Sequence, residues 1–335
     1  VRLRWGLIGA SSWAAEWMID AFRAVEGGAV TAVLSASAER GARFAQDHGI
    51  PGAAASLDEL LGDPDVNAVY VSTTNDLHAE QVLAAAAAGK HVLCEKPIAT
   101  TVQDARRMVA ACREAGVVLG VNHHLRSQDT VRTMRSLVAS GEIGDVLSAR
   151  CAHLVSLPPQ RRTWRTTRPE AGAGAVLDLT VHDVDTLRFL LADEIDTVSA
   201  LTVTQGVAAS GIEDTVVGAM RTRGGVPVTF HDAFTHAHSG TALEVHGTTG
   251  TLVGQDLFGP EPSGTVTLRR GAVVRSVPIP ERRNAYERTV ERFAAAAGGD
   301  GRPAADGADG FASTATAIAV LASAAEGRAV AVEHL

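Results

Sequence analysis

Across residues 1–120, short apolar runs alternate with stretches of helical periodicity, and a chain with that rhythm folds as a parallel sheet joined by crossover helices. Leu3–Ile8, Val30–Ser35, Ala68–Ser72, His91–Cys94 and Val117–Val121 read as strands. Ala14–Val25, Ala38–His48, Leu57–Leu61, His78–Ala88 and Val102–Ala115 read as the helices between them. The expected fold is α/β: an N-terminal Rossmann domain over residues 1–122, a doubly wound parallel sheet that takes ligands at the carboxyl ends of its strands.

Beyond residue 122 the rhythm changes. A helix near Thr130–Ser140, a strand near Val146–Ala152 and a helix from Asp178 to about Leu191 precede strand after strand without helices between them. These are Thr197–Thr204, Asp214–Arg221, Val226–Ala233, Thr241–His246, Thr251–Val253, Thr265–Arg269 and Val273–Val277. Such a succession predicts an open, mainly antiparallel sheet, so residues 123–335 form a C-terminal α+β domain. The Ala-, Gly- and Asp-rich stretch Ala294–Gly310 reads as a helix end followed by a mobile loop.

A chain of 335 residues, 46% hydrophobic, supplies two cores. Its net charge of -8 gives no broad basic surface for a phosphate backbone, which argues against nucleic acid as a partner. No uninterrupted apolar run suggests a membrane span, and the first strand begins too early for a leader, so a cytoplasmic location is expected. Cys94, Cys112 and Cys151 are too far apart for a zinc ribbon and read as small buried hydrophobes.

The turn after the first strand, Gly9-Ala10-Ser11-Ser12-Trp13-Ala14, is a variant of the glycine-rich dinucleotide fingerprint. Gly9 permits the tight turn, Ser11 is small enough for close approach of a pyrophosphate, and Ala14 lets the helix sit near the strand. At the end of the second strand an NAD site presents a carboxylate to the ribose; here Ser35-Ala36-Ser37 and Arg40 stand instead, which favours NADP(H). Arg40 reads equally as a solvated helix arginine. In Ser72-Thr73-Thr74-Asn75-Asp76-Leu77-His78, hydroxyls and an amide on a βα loop suit a nicotinamide, or Asn75 or Asp76 caps a helix.

The sharpest local signal is Cys94-Glu95-Lys96-Pro97 at the end of the fourth strand. Lys96, one of only two lysines in the chain, stands where nicotinamide and substrate meet, and its ammonium can polarise a carbonyl or stabilise an alkoxide. The second constellation runs from Gly172 to Asp185 and contains Asp178 and His182 four residues apart, on one helix face. Imidazole passes protons near neutral pH. Asp178 also reads as a helix cap, and the Asp/His set as metal ligands; the metal reading is set aside because Lys96 can assist the chemistry unaided. His123 and His124 lie beside Asn122 after the fifth strand, and the histidines of the later strands read as structural.

In this order, G-A-S-x-x-A, T-T-N-x-x-H, E-K-P and D-x-x-x-H, with the late Glu244-Val245-His246-Gly247 turn, the chain resembles the glucose–fructose oxidoreductase, inositol dehydrogenase and MocA family along essentially its whole length. The resemblance implies an NADP-dependent oxidoreductase of carbohydrates, and a closer likeness to its sugar-ketone reductases. It implies that Gly9, Ala10, Ser11, Ser12, Ser35, Arg40, Thr73, Thr74, Asn75, His78, Glu95, Lys96, Asn122, Trp164, Arg165 and Tyr286 hold the cofactor. It further implies that Lys96, Asp178 and His182 surround the reacting carbon and that the C-terminal sheet serves as a homo-oligomer surface. Two readings stand beside this one: a dehydrogenase of another sugar or cyclitol, and a non-catalytic NADP-binding regulator.

Overall fold

The structure, a computed structural model, describes residues 2–335. Its first sheet has six strands: β1 Arg4–Ile8, β2 Ala29–Leu34, β3 Gly52–Ala54, β4 Ala68–Val71, β5 His91–Cys94 and β6 Leu119–Val121. All pair in parallel, in the order β3-β2-β1-β4-β5-β6. This is the doubly wound order, with its switch point between β1 and β4. β1, β4 and β5 are buried along nearly their whole length, which is why their sequences are continuously apolar rather than alternating. β3 escapes a sequence reading because Gly52-Ala53-Ala54 is short and has no β-branched or aromatic residue.

The helices fall where their caps put them. Ser37, Ser56 and Thr101 each accept a hydrogen bond from the backbone N–H three residues on, opening helices Ala38–Asp47, Leu57–Gly62 and Val102–Glu114. The first helix departs from expectation: a π turn, Ala14–Met18, precedes the regular helix Ile19–Ala24.

The chain divides into two compact units. The first comprises the chain up to His123 together with Tyr286–Phe311. The latter segment, which a single boundary after residue 122 assigns to the second domain, packs in the first. Tyr286, Val290 and Phe293, on the helix Ala285–Ala297, share a core with Trp5, Leu7, Phe22 and Tyr70. Trp5 stacks on Phe22 at 4.2 Å and lies 5.2 Å from Phe293. The stretch after this helix, expected to be mobile, is tied to the sheet edge. The Val121 N–H donates to Ala305 O at 2.9 Å, and Arg302 pairs with Asp306 at 3.0 Å. An open edge strand is thereby covered, which its sequence composition did not signal.

The second unit, His124–Ala285 and Ala312–Leu335, holds a nine-stranded sheet. Its strands are β7 Val146–Leu154, β8 Ile195–Val203, β9 Thr215–Thr222, β10 Pro227–Ala233, β11 Thr241–Gly247, β12 Thr251–Gln255, β13 Thr265–Arg270, β14 Val273–Val277 and β15 Val330–Ala331. They run β14-β13-β12-β11-β7-β10-β9-β8-β15, and every neighbouring pair is antiparallel except β7 with β10. The sheet is open, as its uninterrupted succession of strands predicted. The helix Gly307–Glu326 is 20 residues long and apolar enough to cross a bilayer by composition, a match the sequence reading passed over. Of its apolar 18-residue window 61% is buried inside the protein, and it carries buried Ser313, Thr314, Thr316 and Ser323, as a core helix does.

Candidate active site

The switch point of the first sheet is built from two strand ends. Gly9 has φ +114°, and a Cβ there would lie 3.0 Å from the Ser72 carbonyl, so the turn requires glycine twice over. Ser11 Oγ donates to Ser72 Oγ at 2.9 Å, joining the β1 and β4 turns, and accepts from the Ala14 N–H at 3.0 Å. Ser12 is exposed and Ser35 half-buried. Arg40 is no idle surface charge: its guanidinium turns back to the fingerprint and donates to Ala10 O at 2.7 Å. Thr73 donates to Gln81 at 2.7 Å. Thr74 holds the N-cap position of the 3-10 turn Asn75–Leu77 and Leu77 that of the helix His78–Ala87, so neither Asn75 nor Asp76 stands at a cap position.

Lys96 leaves the end of β5 from a locked base. Glu95 Oε1 accepts from Tyr70 Oη at 2.5 Å and from Asn122 Nδ2 at 2.6 Å, which binds the ends of β4, β5 and β6 through one carboxylate. Burial, and then the Glu95 charge, push the Tyr70 hydroxyl well above its ordinary pKa, so it remains a donor. The Lys96–Pro97 peptide is cis. His78 is fully buried, and its Nδ1 lies 2.9 Å from Pro97 O, bracing the residue next to Lys96. Tyr286 is fully buried, 5.5 Å from Trp17 and 6.0 Å from Trp13, ring to ring.

In the second unit, Gly174 has φ +116°, and a Cβ there would fall 2.0 Å from the Glu213 carboxylate, which accepts from the Val176 N–H at 3.1 Å. That turn opens a π turn, Val176–Thr180, which continues into the helix Val181–Leu191. Asp178 lies inside the π turn, whose N-cap position is Ala175; its carboxylate faces Arg165 at 3.5 Å, and Arg165 stacks on Trp164 at 4.5 Å. His182 is the second residue of the regular helix and is buried, with the rings of His124 and His153 at 5.2 and 6.3 Å. Asp185 is held by a bidentate contact with buried Arg126, its Nε at 2.8 Å. Among the described residues no group of three or more His, Cys, Asp or Glu is arranged to hold a metal ion.

His153, Asp183, Asp232 and Tyr70 were not singled out from the sequence. His153 follows Ala149 and Cys151 on the inward face of β7, and Asp232 follows Val228 and Phe230 on the inward face of β10. A polar residue at an inward position of an alternating strand was the available signal. The three cysteines are free and buried as expected, although Cys151 also donates to Asp183 at 3.0 Å.

A doubly wound sheet with a fingerprint turn at its switch point and a lysine at the end of β5, followed by an open mixed sheet, defines an oxidoreductase of the dinucleotide-binding class with a second, mixed-sheet domain. Residues 3–123 match the oxidoreductase family with NAD-binding Rossmann fold, and residues 131–253 match the GFO/IDH/MocA C-terminal domain. The chain belongs to this GFO/IDH/MocA family and is an oxidoreductase of carbohydrates. It is 52% identical over 330 residues to 1,5-anhydro-D-fructose reductase of Ensifer adhaerens, covering 98% of each chain. Among solved structures it is similar to aldose-aldose oxidoreductase of Caulobacter crescentus (TM-score 0.90, 26% identity, 99% and 100% covered). It is also similar to a levoglucosan dehydrogenase in complex with NADH and L-sorbose (TM-score 0.85, 27% identity, 99% of each chain covered).

Burial holds His78 neutral down to about pH 4, whereas the same side chain in the unfolded chain takes up a proton near 6.5. Its folded pKa is depressed, so the unfolded state binds more protons between those values, and stability falls as pH drops through that window. Relative to His78→Gln, the parent is expected to lose about 2 kcal/mol between pH 7 and pH 5, from about 1.36 kcal/mol per pKa unit. Denaturant midpoints of both proteins at the two pH values check this, and parallel pH dependences contradict it.

Proposed function

We propose that this protein reduces a sugar ketone with NADPH, converting 1,5-anhydro-D-fructose to 1,5-anhydro-D-mannitol. The observation that carries the reading is near full-length identity of 52% to a 1,5-anhydro-D-fructose reductase, in a chain that contains Lys96, Asp178 and His182.

The residues present fit the cofactor. Ser35-Ala36-Ser37, rather than a carboxylate that would repel a 2′-phosphate, stands at the end of β2 and offers hydroxyls, and Arg40 brings a cation to the fingerprint turn. Asn122 Oδ1 is buried with no donor among the described residues, an acceptor suited to an amide. Gly9, Ala10, Ser11 and Ser12 would receive the pyrophosphate. Thr73, Thr74, Asn75, Glu95, Trp164 and Arg165 would flank the nicotinamide half, with His78 and Tyr286 bracing from behind. When bound, NADPH supplies the hydride.

In this reading Lys96 neutralises charge gathering on the ketone oxygen, and His182 supplies the proton. Asp178, its charge moderated by Arg165, accepts from sugar hydroxyls. NADPH consumption with 1,5-anhydro-D-fructose beside a panel of ketoses and cyclitol ketones tests the substrate. Lys96→Ala is expected to lower turnover by at least about 10²-fold, the scale of one electrostatic donor removed from a site, without changing the melting temperature. Near-parental turnover overturns its role.

Cofactor choice rests on Arg40 and Ser35. A charge-assisted hydrogen bond contributes roughly 1.5–3 kcal/mol, so one contact to the 2′-phosphate gives about a tenfold or greater preference in kcat/KM for NADPH over NADH. Ser35→Asp with Arg40→Ala is expected to remove that preference. Equal or better use of NADH by the parent contradicts the assignment.

The open face of the second sheet also supports a homo-oligomer. Leu201 and Val217 are cross-strand neighbours on β8 and β9, 67% and 40% exposed, with Val203 beside them at 50%. Leu201→Glu is expected to lower the sedimenting mass to that of one chain, and a monomeric parent contradicts this surface.

A further inference from the structure

Behind His182 lies a buried polar cluster that the proposed reaction does not use. Asp183 and Asp232 are both fully buried and meet at His153: Asp183 contacts its ring, and Asp232 stands opposite it in the β7–β10 register, so the two carboxyls face one another. Asp183 accepts from His153 Nδ1 at 3.0 Å through one oxygen and from the Cys151 thiol at 3.0 Å through the other. Asp232 Oδ2 accepts from Thr180 Oγ1 at 2.5 Å, whereas no donor reaches its Oδ1 among the described residues.

Two unprotonated carboxylates in contact inside a protein are untenable, so the pair must hold a proton between them. The donors decide where it sits. Asp183 already receives two hydrogen bonds and is satisfied as a carboxylate, whereas Asp232 has one oxygen that only a proton of its own can satisfy. Asp232 is therefore the acid and Asp183 the anion. A carboxylate facing Nδ1 fixes the proton on that nitrogen and so sets the tautomer and orientation of the ring.

We propose that the Asp183–Asp232 carboxyl pair shares one proton, carried by Asp232, and uses its single negative charge to lock the His153 imidazole beside His182, making Asp183 and His153 positioning residues for proton transfer. The inference rests on the reading of His182 as the proton-supplying group. The ionisable groups facing Asp183 are Cys151 and His153 from β7 and Asp232 from β10. Burial raises both carboxyls: Asp183 titrates at about 7, and Asp232 is pushed well above the usual carboxylate range. Below about pH 7 Asp183 takes up its own proton and the anchor for His153 is lost.

The pair makes the two isosteric amides unequal. Asp232→Asn keeps a donor toward Asp183 and an acceptor for Thr180, so its kcat should stay within about threefold of the parent, with the same fall on the acid side. Asp183→Asn removes the anion, so kcat should drop at least about tenfold with KM for the sugar little changed, and the acid-side fall should vanish. A purely structural role would leave the shape of the pH profile alone. Equal losses in the two variants, or a parental Asp183→Asn, overturn the inference.

If Asp183→Asn does not fold, His153→Asn decides: it retains a donor but not the imidazole, so a loss of at least about tenfold in kcat supports the lock and parental kcat overturns it. Independently of activity, the infrared spectrum at pH 8 should contain the C=O band of a protonated carboxylic acid that Asp232→Asn abolishes. Its absence from the parent overturns the shared proton. Parental turnover in His182→Asn overturns the functional reading on which the lock depends, whereas an inactive His182→Asn beside a parental His153→Asn overturns the lock alone.

Discussion

A carboxylate at the end of a buried parallel sheet has to be matched by donors, and Glu95 is matched by Tyr70 and Asn122 from the two neighbouring strands. Leaving it unmatched would cost several kcal/mol, so the three strand ends are held in one relative position. Lys96 follows directly, and His78 secures Pro97 from the other side. The position of the one strand-end lysine is thus a consequence of the sheet. Across the switch point the Ser11–Ser72 hydrogen bond does the same for the fingerprint turn, which can approach Ser72 only because position 9 has no side chain.

The second unit solves a similar problem with charge inside an open sheet. Its inward positions carry His153 and Asp232 among apolar neighbours, and the helix from Val181 brings Asp183 against them. Arg126 answers Asp185 two residues further along. Buried polar groups of this kind contribute little net stability, and removing one partner is costly, so they fix geometry rather than strengthen the fold.

How much of this was legible in the sequence follows from the range of each interaction. The strands of the first sheet other than β3 are local apolar runs and could be read directly. The short β3, the π turns at Ala14–Met18 and Val176–Thr180, and the return of Tyr286–Phe311 to the first unit depend on tertiary packing that no local pattern encodes. Of the candidate residues, Glu95, Lys96, Asn122, Arg40, Asp178 and His182 stand in recognisable motifs. Their partners Tyr70, His153, Asp183 and Asp232 do not, because each meets its partner between 25 and 52 residues away in sequence or within a strand that reads as ordinary core. Asp178 resembles a cap in sequence because it opens an apolar periodic run; the true start lies at the Gly174 turn, where Glu213 supplies the acceptor.

The central claim is a direct hydride transfer from NADPH to the ketone carbon of an anhydroketose, and isotope transfer tests it most directly. With NADPH carrying deuterium at the transferable C4 position and 1,5-anhydro-D-fructose as substrate, the account predicts one deuterium at C2 of 1,5-anhydro-D-mannitol and none in solvent. A product without deuterium at C2, or no turnover of this ketone while another carbonyl is reduced, would contradict it.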